Sequence, residues 1–243
     1  MQIFLINLLY FVIALPIVGT FFLFLARLNR DKEPNRKEIV LVLSIMLFLI
    51  RFFLIFFGAT IGIMPYLIED VLFYSLLTIL GVIMTFAYIT KIEKVSDEEI
   101  GLKSESPIKD ILVGVLGLIP LIAMFPLLLY LTDIEIIYNF TVGKIIVGSG
   151  FAILGAVYEE IMFRGIIQNH LRDLLNNKLQ VIVYTALIFT LTHLFYLPFT
   201  AFGIYYIFVF VMALLLSILR EKYSLISASI LHGLIVFILI IFV

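Results

Sequence analysis

Apolar residues in this chain come in long runs rather than in alternation. Runs of roughly 17 to 25 residues, the length that crosses a bilayer as a helix, fall at about 3–26, 39–64, 71–90, 111–131, 145–165, 179–197, 199–219 and 225–243. The pattern predicts an all-α fold, a polytopic membrane helix bundle of about eight transmembrane helices, organised as a single integral membrane domain over residues 1–243. Polar residues collect between the runs. Tyr196-Leu197-Pro198 leaves almost no loop and reads as a tight turn or the start of the next helix. The stretch from Lys91 to Asp110 carries both charge signs and reads as a solvated connector.

Composition agrees with that setting. Hydrophobic residues make up 64% of the 243 residues, charged residues 14%, and mean hydropathy is +1.24. A soluble domain of this size needs far less apolar surface. The formal net charge of -1 points to no nucleic-acid partner, and the lipid bilayer is the expected surroundings. The chain has no cysteine, so it has no disulfide framework, thiol nucleophile or thiolate metal ligand. The first run lacks a basic n-region and an A-x-A cleavage site, and reads as a retained helix rather than a signal peptide. Asn139-Phe140-Thr141 matches a glycosylation sequon, a three-residue pattern of low specificity.

Lysine and arginine set the orientation. The first loop holds Arg27, Arg30, Lys32, Arg36 and Lys37, and the second, from Pro65 to Asp70, has none. Lys91, Lys94, Lys103 and Lys109 fill the third loop. Lys144 alone follows the fourth run, Arg172 and Lys178 follow the fifth, none follow the sixth, and Arg220 and Lys222 follow the seventh. By the positive-inside rule both termini face away from the cytoplasm.

Within this apolar background a few ionisable residues stand out, because charge in lipid is expensive and usually functional. Glu159, Glu160 and Arg164 lie in YEEIMFRG, with His193 and His232 further on. On a helical wheel Gly148, Ala152, Gly155 and Glu159 share one face, a stripe of small residues that lets another helix approach. Glu160 lies about 100 degrees round and four residues before Arg164, a favourable acid–base orientation. This assigns Glu160 to Arg164 and leaves Glu159 for chemistry.

Residues 166–178 keep a helical apolar period while becoming polar, so the fifth helix projects beyond the membrane and turns near Asn176 to Lys178. Glu159 and His193 then lie at a similar level, each roughly 25 Å from that turn at 1.5 Å per residue. His232 lies about 10 Å from the cytoplasmic end of the last run. Arg51, well inside the second run, reads as a structural partner within the bundle. His170, in the polar continuation of the fifth run, reads as solvated.

The segments EEIMFR, FTLTH and HGLIV, in this order on three late helices, resemble the CAAX protease and bacteriocin-processing (CPBP) family of intramembrane endopeptidases. Glu159, Glu160 and Arg164 match its EExxxR motif, Phe189 and His193 its FxxxH motif, and His232 its third motif. The resemblance covers about residues 110–243 as a catalytic core and leaves 1–109 as additional N-terminal transmembrane helices. One departure concerns Val236, where the family usually has asparagine or another polar residue. Valine cannot form a side-chain hydrogen bond. Ser229, three residues before His232 on nearly the same face, is placed to compensate.

The resemblance implies an intramembrane endopeptidase acting on a membrane-associated or lipidated, CAAX-like peptide near the cytoplasmic face. Glu159 would act as general base on a water shared with His193, and His232 would stabilise the oxyanion. Glu160, Arg164 and Phe189 would support them. The alternative is a metalloprotease in which Glu159, His193 and His232 hold a zinc ion and leave a fourth position for water. Two other classes compete with the enzyme. One is a catalytically impaired membrane scaffold or peptide-immunity protein, to which the valine at 236 points. The other is a transporter using the same groups as a proton relay, against which stands the lack of an inverted repeat.

Overall fold

A computed structural model of the chain describes residues 16, 19–29, 35–60, 71–132, 142–194 and 203–242, and every regular element among them is helical. Expectations concerning residues 3–15, the loop 61–70, Asp133, the sequon at 139–141 and the turn at 196–198 fall outside the described residues. The elements are α1 (Gly19–Leu28), α2 (Arg36–Thr60) and α3 (Val71–Ala87), which runs on through a π-helical stretch, Tyr88–Glu93. Next come α4 (Pro107–Leu116) and α5 (Leu118–Thr132). The rest are α6 (142–174), α7 (Lys178–Leu191), α8 (Ile204–Lys222) and α9 (Leu225–Phe242).

Local chemistry sets several of the boundaries. Pro107 starts α4 in its first turn, where a missing N–H costs nothing. Asn177 caps α7 by accepting from the Leu179 N–H at 2.9 Å. At the other end of α7, the Thr192 hydroxyl donates to the Phe189 carbonyl at 2.7 Å, a local bond that competes with continuing the helix. His193 therefore sits in a turn just beyond α7, not inside a helix as the apolar run suggests.

Helix α6 is continuous but not uniform. Two π-helical stretches, Phe151–Gly155 and Ile161–Ile167, flank the short α-helical piece Ala156–Glu160, and the backbone stays right-handed helical through each junction. The helix ends at Leu174 before an extended Leu175, so the turn expected near residues 176–178 is present.

Helix α9 packs against α4, α6 and α8. Small residues make these approaches close. A Cβ on Gly148 of α6 would lie 3.3 Å from the Phe237 ring, and a Cβ on Gly233 of α9 would collide with the Ala152 carbonyl. Ile161, Phe163, Phe189, Phe208, Leu216, Leu231 and Ile235 fill the space between the helices. In lipid such packing gains by dispersion and fit rather than by release of water.

Two helical stretches, Pro107–Leu127 and Ile204–Lys222, are long and apolar enough to cross a membrane, by length and composition. The first is only 17% buried over its apolar window, with Leu112, Leu116, Ile119 and Ile122 facing outward. Lipid is the solvent that suits such a surface.

The polar end of the bundle departs from the sequence expectation. The connector after α3 is not simply solvated, because Ile100 is fully buried and a Cβ on Gly165 of α6 would lie 3.3 Å from its Cβ. His170 is not solvated either. Its Nε2 lies 3.0 Å from Glu93 Oε1, which also accepts from the Tyr88 hydroxyl at 2.5 Å, and its side chain is only 12% exposed.

Candidate active site

Glu160 and Arg164 are both fully buried, and Arg164 Nη1 donates to Glu160 Oε1 at 2.8 Å. The same oxygen lies 2.8 Å from His232 Nδ1, on α9. An ionised carboxylate only accepts, so Nδ1 carries the proton in this contact. That fixes the imidazole ring and leaves Nε2 as its second functional atom, an acceptor when the ring is neutral and a donor when it is protonated.

The helical wheel placed Glu159, not Glu160, on the stripe facing the neighbouring helix. The π-helical stretch Phe151–Gly155 supplies the physical reason for the difference. An extra residue in a turn rotates everything after it by about 100 degrees relative to an ideal α-helix. The stripe that starts at Gly148 and Ala152 then passes through Ala156 to Glu160, and this is the carboxylate that meets α9. Glu159 is partly buried and close enough for its charge to act on Arg164.

Phe189 is the hub of the site. It is fully buried, with the Arg164 guanidinium 4.4 Å above its ring, a cation–π contact. The His193 ring lies 4.6 Å from it and the His232 ring 5.6 Å. The structure thus brings His193 and His232 onto one aromatic ring, next to the Glu160–Arg164 pair. His193 Nδ1 lies 2.9 Å from the Phe189 carbonyl. A carbonyl only accepts, so this nitrogen bears the proton, and in the neutral ring Nε2 keeps its lone pair.

A polar ladder extends the site along α6. Arg164 Nη2 donates to the Ala213 carbonyl at 3.2 Å, and Gln168 Nε2 to the Ser217 carbonyl at 3.2 Å. Gln168 was not singled out from the sequence, although its four-residue spacing from Arg164, itself four from Glu160, was the available signal. Glu160 Oε2, Arg164 Nε, Gln168 Oε1, Ser217 Oγ and Ser229 Oγ are buried without hydrogen-bond partners. Such a concentration of unmet polar atoms belongs to functional sites more than to packing cores. Val236 packs against the apolar core.

The zinc alternative requires Glu159, His193 and His232 to converge. Among the described residues no three histidine, aspartate or glutamate side chains come together to hold a metal ion. No step is therefore derived through a metal. A cavity of about 860 Å³ opens at the polar end, lined among others by Glu93, Lys94, Gly165 and His170. It contains none of Glu159, Glu160, His193 or His232, and the α6 residues that line it begin at Gly165, five residues after Glu160.

Residues 140–238 match the family model of the type II CAAX prenyl endopeptidase, Rce1-like. This is narrower than the span of about 110–243 expected from the motifs, but it includes all three of them. No curated protein and no solved structure matches the chain. The matched segment carries the buried Glu160, Arg164, Phe189 and His232 and the partly buried His193, and in it the chain is similar to the type II CAAX prenyl endopeptidases.

Proposed function

We propose that this protein is an intramembrane endopeptidase that hydrolyses a peptide bond of a membrane-associated, lipidated peptide of the CAAX kind. The observation that carries this reading is the bond from His232 to Glu160 beside Arg164, with His193 on the same Phe189 ring, inside the family-matched segment. Glu159 acts as general base, taking a proton from a water that also contacts His193 Nε2. His232, oriented by Glu160, directs Nε2 at the developing oxyanion. Its protonated form donates there, and Glu160 balances the charge at Nδ1. The Ser229 hydroxyl, buried without a partner, provides the second donor that valine at 236 cannot. Arg164 neutralises Glu160 and anchors α6 to α8.

In this reading the remaining apolar helices also cross the bilayer, about eight in all. Both termini face away from the cytoplasm and the site opens toward it. The packing of Val236 against the core favours one second reading, a catalytically silent scaffold with the same fold.

The two readings separate in one experiment. Purified protein is given farnesylated and unmodified peptides of the same sequence, with and without a chelator. The enzyme reading expects cleavage at a single bond of the farnesylated peptide, persisting with chelator present. Binding without cleavage supports the scaffold.

A further inference from the structure

The segment from Ser96 to Leu102 is a self-contained unit. Ser96 and Glu99 form a reciprocal capping box, with Ser96 N donating to Glu99 Oε2 at 2.7 Å and Glu99 N to Ser96 Oγ at 3.3 Å. At the other end Leu102 N bonds the Asp97 carbonyl at 2.8 Å and Gly101 N the Glu98 carbonyl at 3.0 Å, the paired bonds of a Schellman close. Gly101 has φ +81, the left-handed conformation glycine adopts without strain.

This one-turn unit touches three of the helices that frame the buried constellation, α6, α8 and α9. On α6, Ile100 seats against Gly165, next to Arg164, and Asn169 Nδ2 donates to the Glu99 carbonyl at 2.6 Å. On α8, Arg220 Nη2 donates to the same carbonyl at 3.2 Å, with its guanidinium packed where a Cβ on Gly101 would stand. On α9, the Leu225 N–H donates to the Gly101 carbonyl at 3.0 Å. Leu225 is the first residue of the helix that carries His232, and its N–H has no partner within that helix.

We infer that residues 96–102 form a clamp that sets the position of α9 against α6, and so holds His232 on Glu160, with Ile100 and Gly101 as its positioning residues. The catalytic consequence rests on the peptidase reading above. The geometric consequence does not, and the test keeps the two apart.

Gly101→Ala puts a methyl group into the Arg220 guanidinium and strains a left-handed residue. Ile100→Ala empties the seat on Gly165 and serves as the second variant if the first does not fold. The direct readout is imidazole ¹⁵N NMR in detergent micelles on a chain with three histidines, assigned by single-histidine variants. The His232 Nδ1 resonance, bonded to Glu160, is expected to shift in either clamp variant while the protein stays folded. If wild-type protein cleaves peptide, kcat is expected to fall on the order of 10- to 100-fold with KM little changed.

A covalent rescue completes the test. In this cysteine-free chain the double change Ile100→Cys with Gly165→Cys places two Cβ atoms about 3.3 Å apart, close to disulfide geometry. Oxidation is expected to preserve turnover and to restore the His232 signal when added to Gly101→Ala. An unchanged His232 resonance in folded Gly101→Ala and Ile100→Ala overturns the clamp, whatever the activity. Turnover lost on oxidation and regained on reduction also overturns it, because the segment would then be a lid that must open. Absence of wild-type cleavage sinks the peptidase reading but leaves the resonance to decide the clamp.

Discussion

His232 Nδ1 and Glu160 Oε1 lie 2.8 Å apart although 72 residues separate them in sequence. One carboxylate oxygen thus serves both an arginine on its own helix and a histidine on another. Removing its charge leaves Arg164 buried without its hydrogen-bonded carboxylate and reduces the His232 anchor from a charge-assisted to a neutral hydrogen bond. Glu160→Gln is expected to destabilise the protein by on the order of 3–5 kcal/mol, the usual cost of breaking one side of a buried pair. Unfolding followed in detergent micelles checks this, and wild-type stability in the variant would contradict it.

Ser229 offers a contrast. A buried hydroxyl without a partner costs stability, so Ser229→Ala is expected to leave the protein as stable as before or slightly more so. As an oxyanion donor, however, its loss should lower kcat roughly 100- to 1000-fold. Stability and turnover measured side by side separate the roles. A stable variant with unchanged turnover removes Ser229 from the site.

The alternation of basic loops predicts topology. Cysteines introduced at Asn35 and Ser104 should react with impermeant reagent only from the cytoplasmic side, and one at Asp133 only from outside. Labelling of position 133 from the cytoplasm would undo the eight-span count.

The clamp segment has a pH dependence of known sign. Hydrogen bonds from the backbone N–H and then the hydroxyl of Ser96 hold the Glu99 carboxyl below its ordinary range. A group with a depressed folded-state pKa contributes stability above its unfolded value and loses it as pH falls through the folded value. Amide exchange at residues 99–103, corrected for intrinsic rates, should therefore speed up as pH drops through and below the carboxylate range. The change should be small, since Glu99 is exposed and screened, and Glu99→Gln should abolish it. An equal pH response in that variant would assign the effect elsewhere.

Much of the site was legible in the sequence because rare charges in apolar helices announce themselves. Glu160 with Arg164, and the approach of His193 and His232, follow from spacing and motif order. What misled the wheel was the π-helical register around Glu159 and Glu160, since a period of 3.6 residues carries no mark of an inserted turn. The clamp was hidden for another reason. Lys91 to Asp110 reads as polar by composition, yet Ser96, Glu99 and Gly101 already spell a capped turn, with Ile100 as its one buried apolar residue. The end of α7 at Thr192 was invisible because apolar runs do not record a threonine bonding back to its own helix.

The central claim is that a carboxylate on α6 activates water for peptide hydrolysis, and Glu159→Gln tests it most directly. The substitution keeps the shape of the side chain and removes the base. On a farnesylated CAAX peptide, kcat should fall by about 100- to 10,000-fold, the usual contribution of a general base, while thermal stability matches wild type. Undiminished cleavage by folded Glu159→Gln protein would contradict the account.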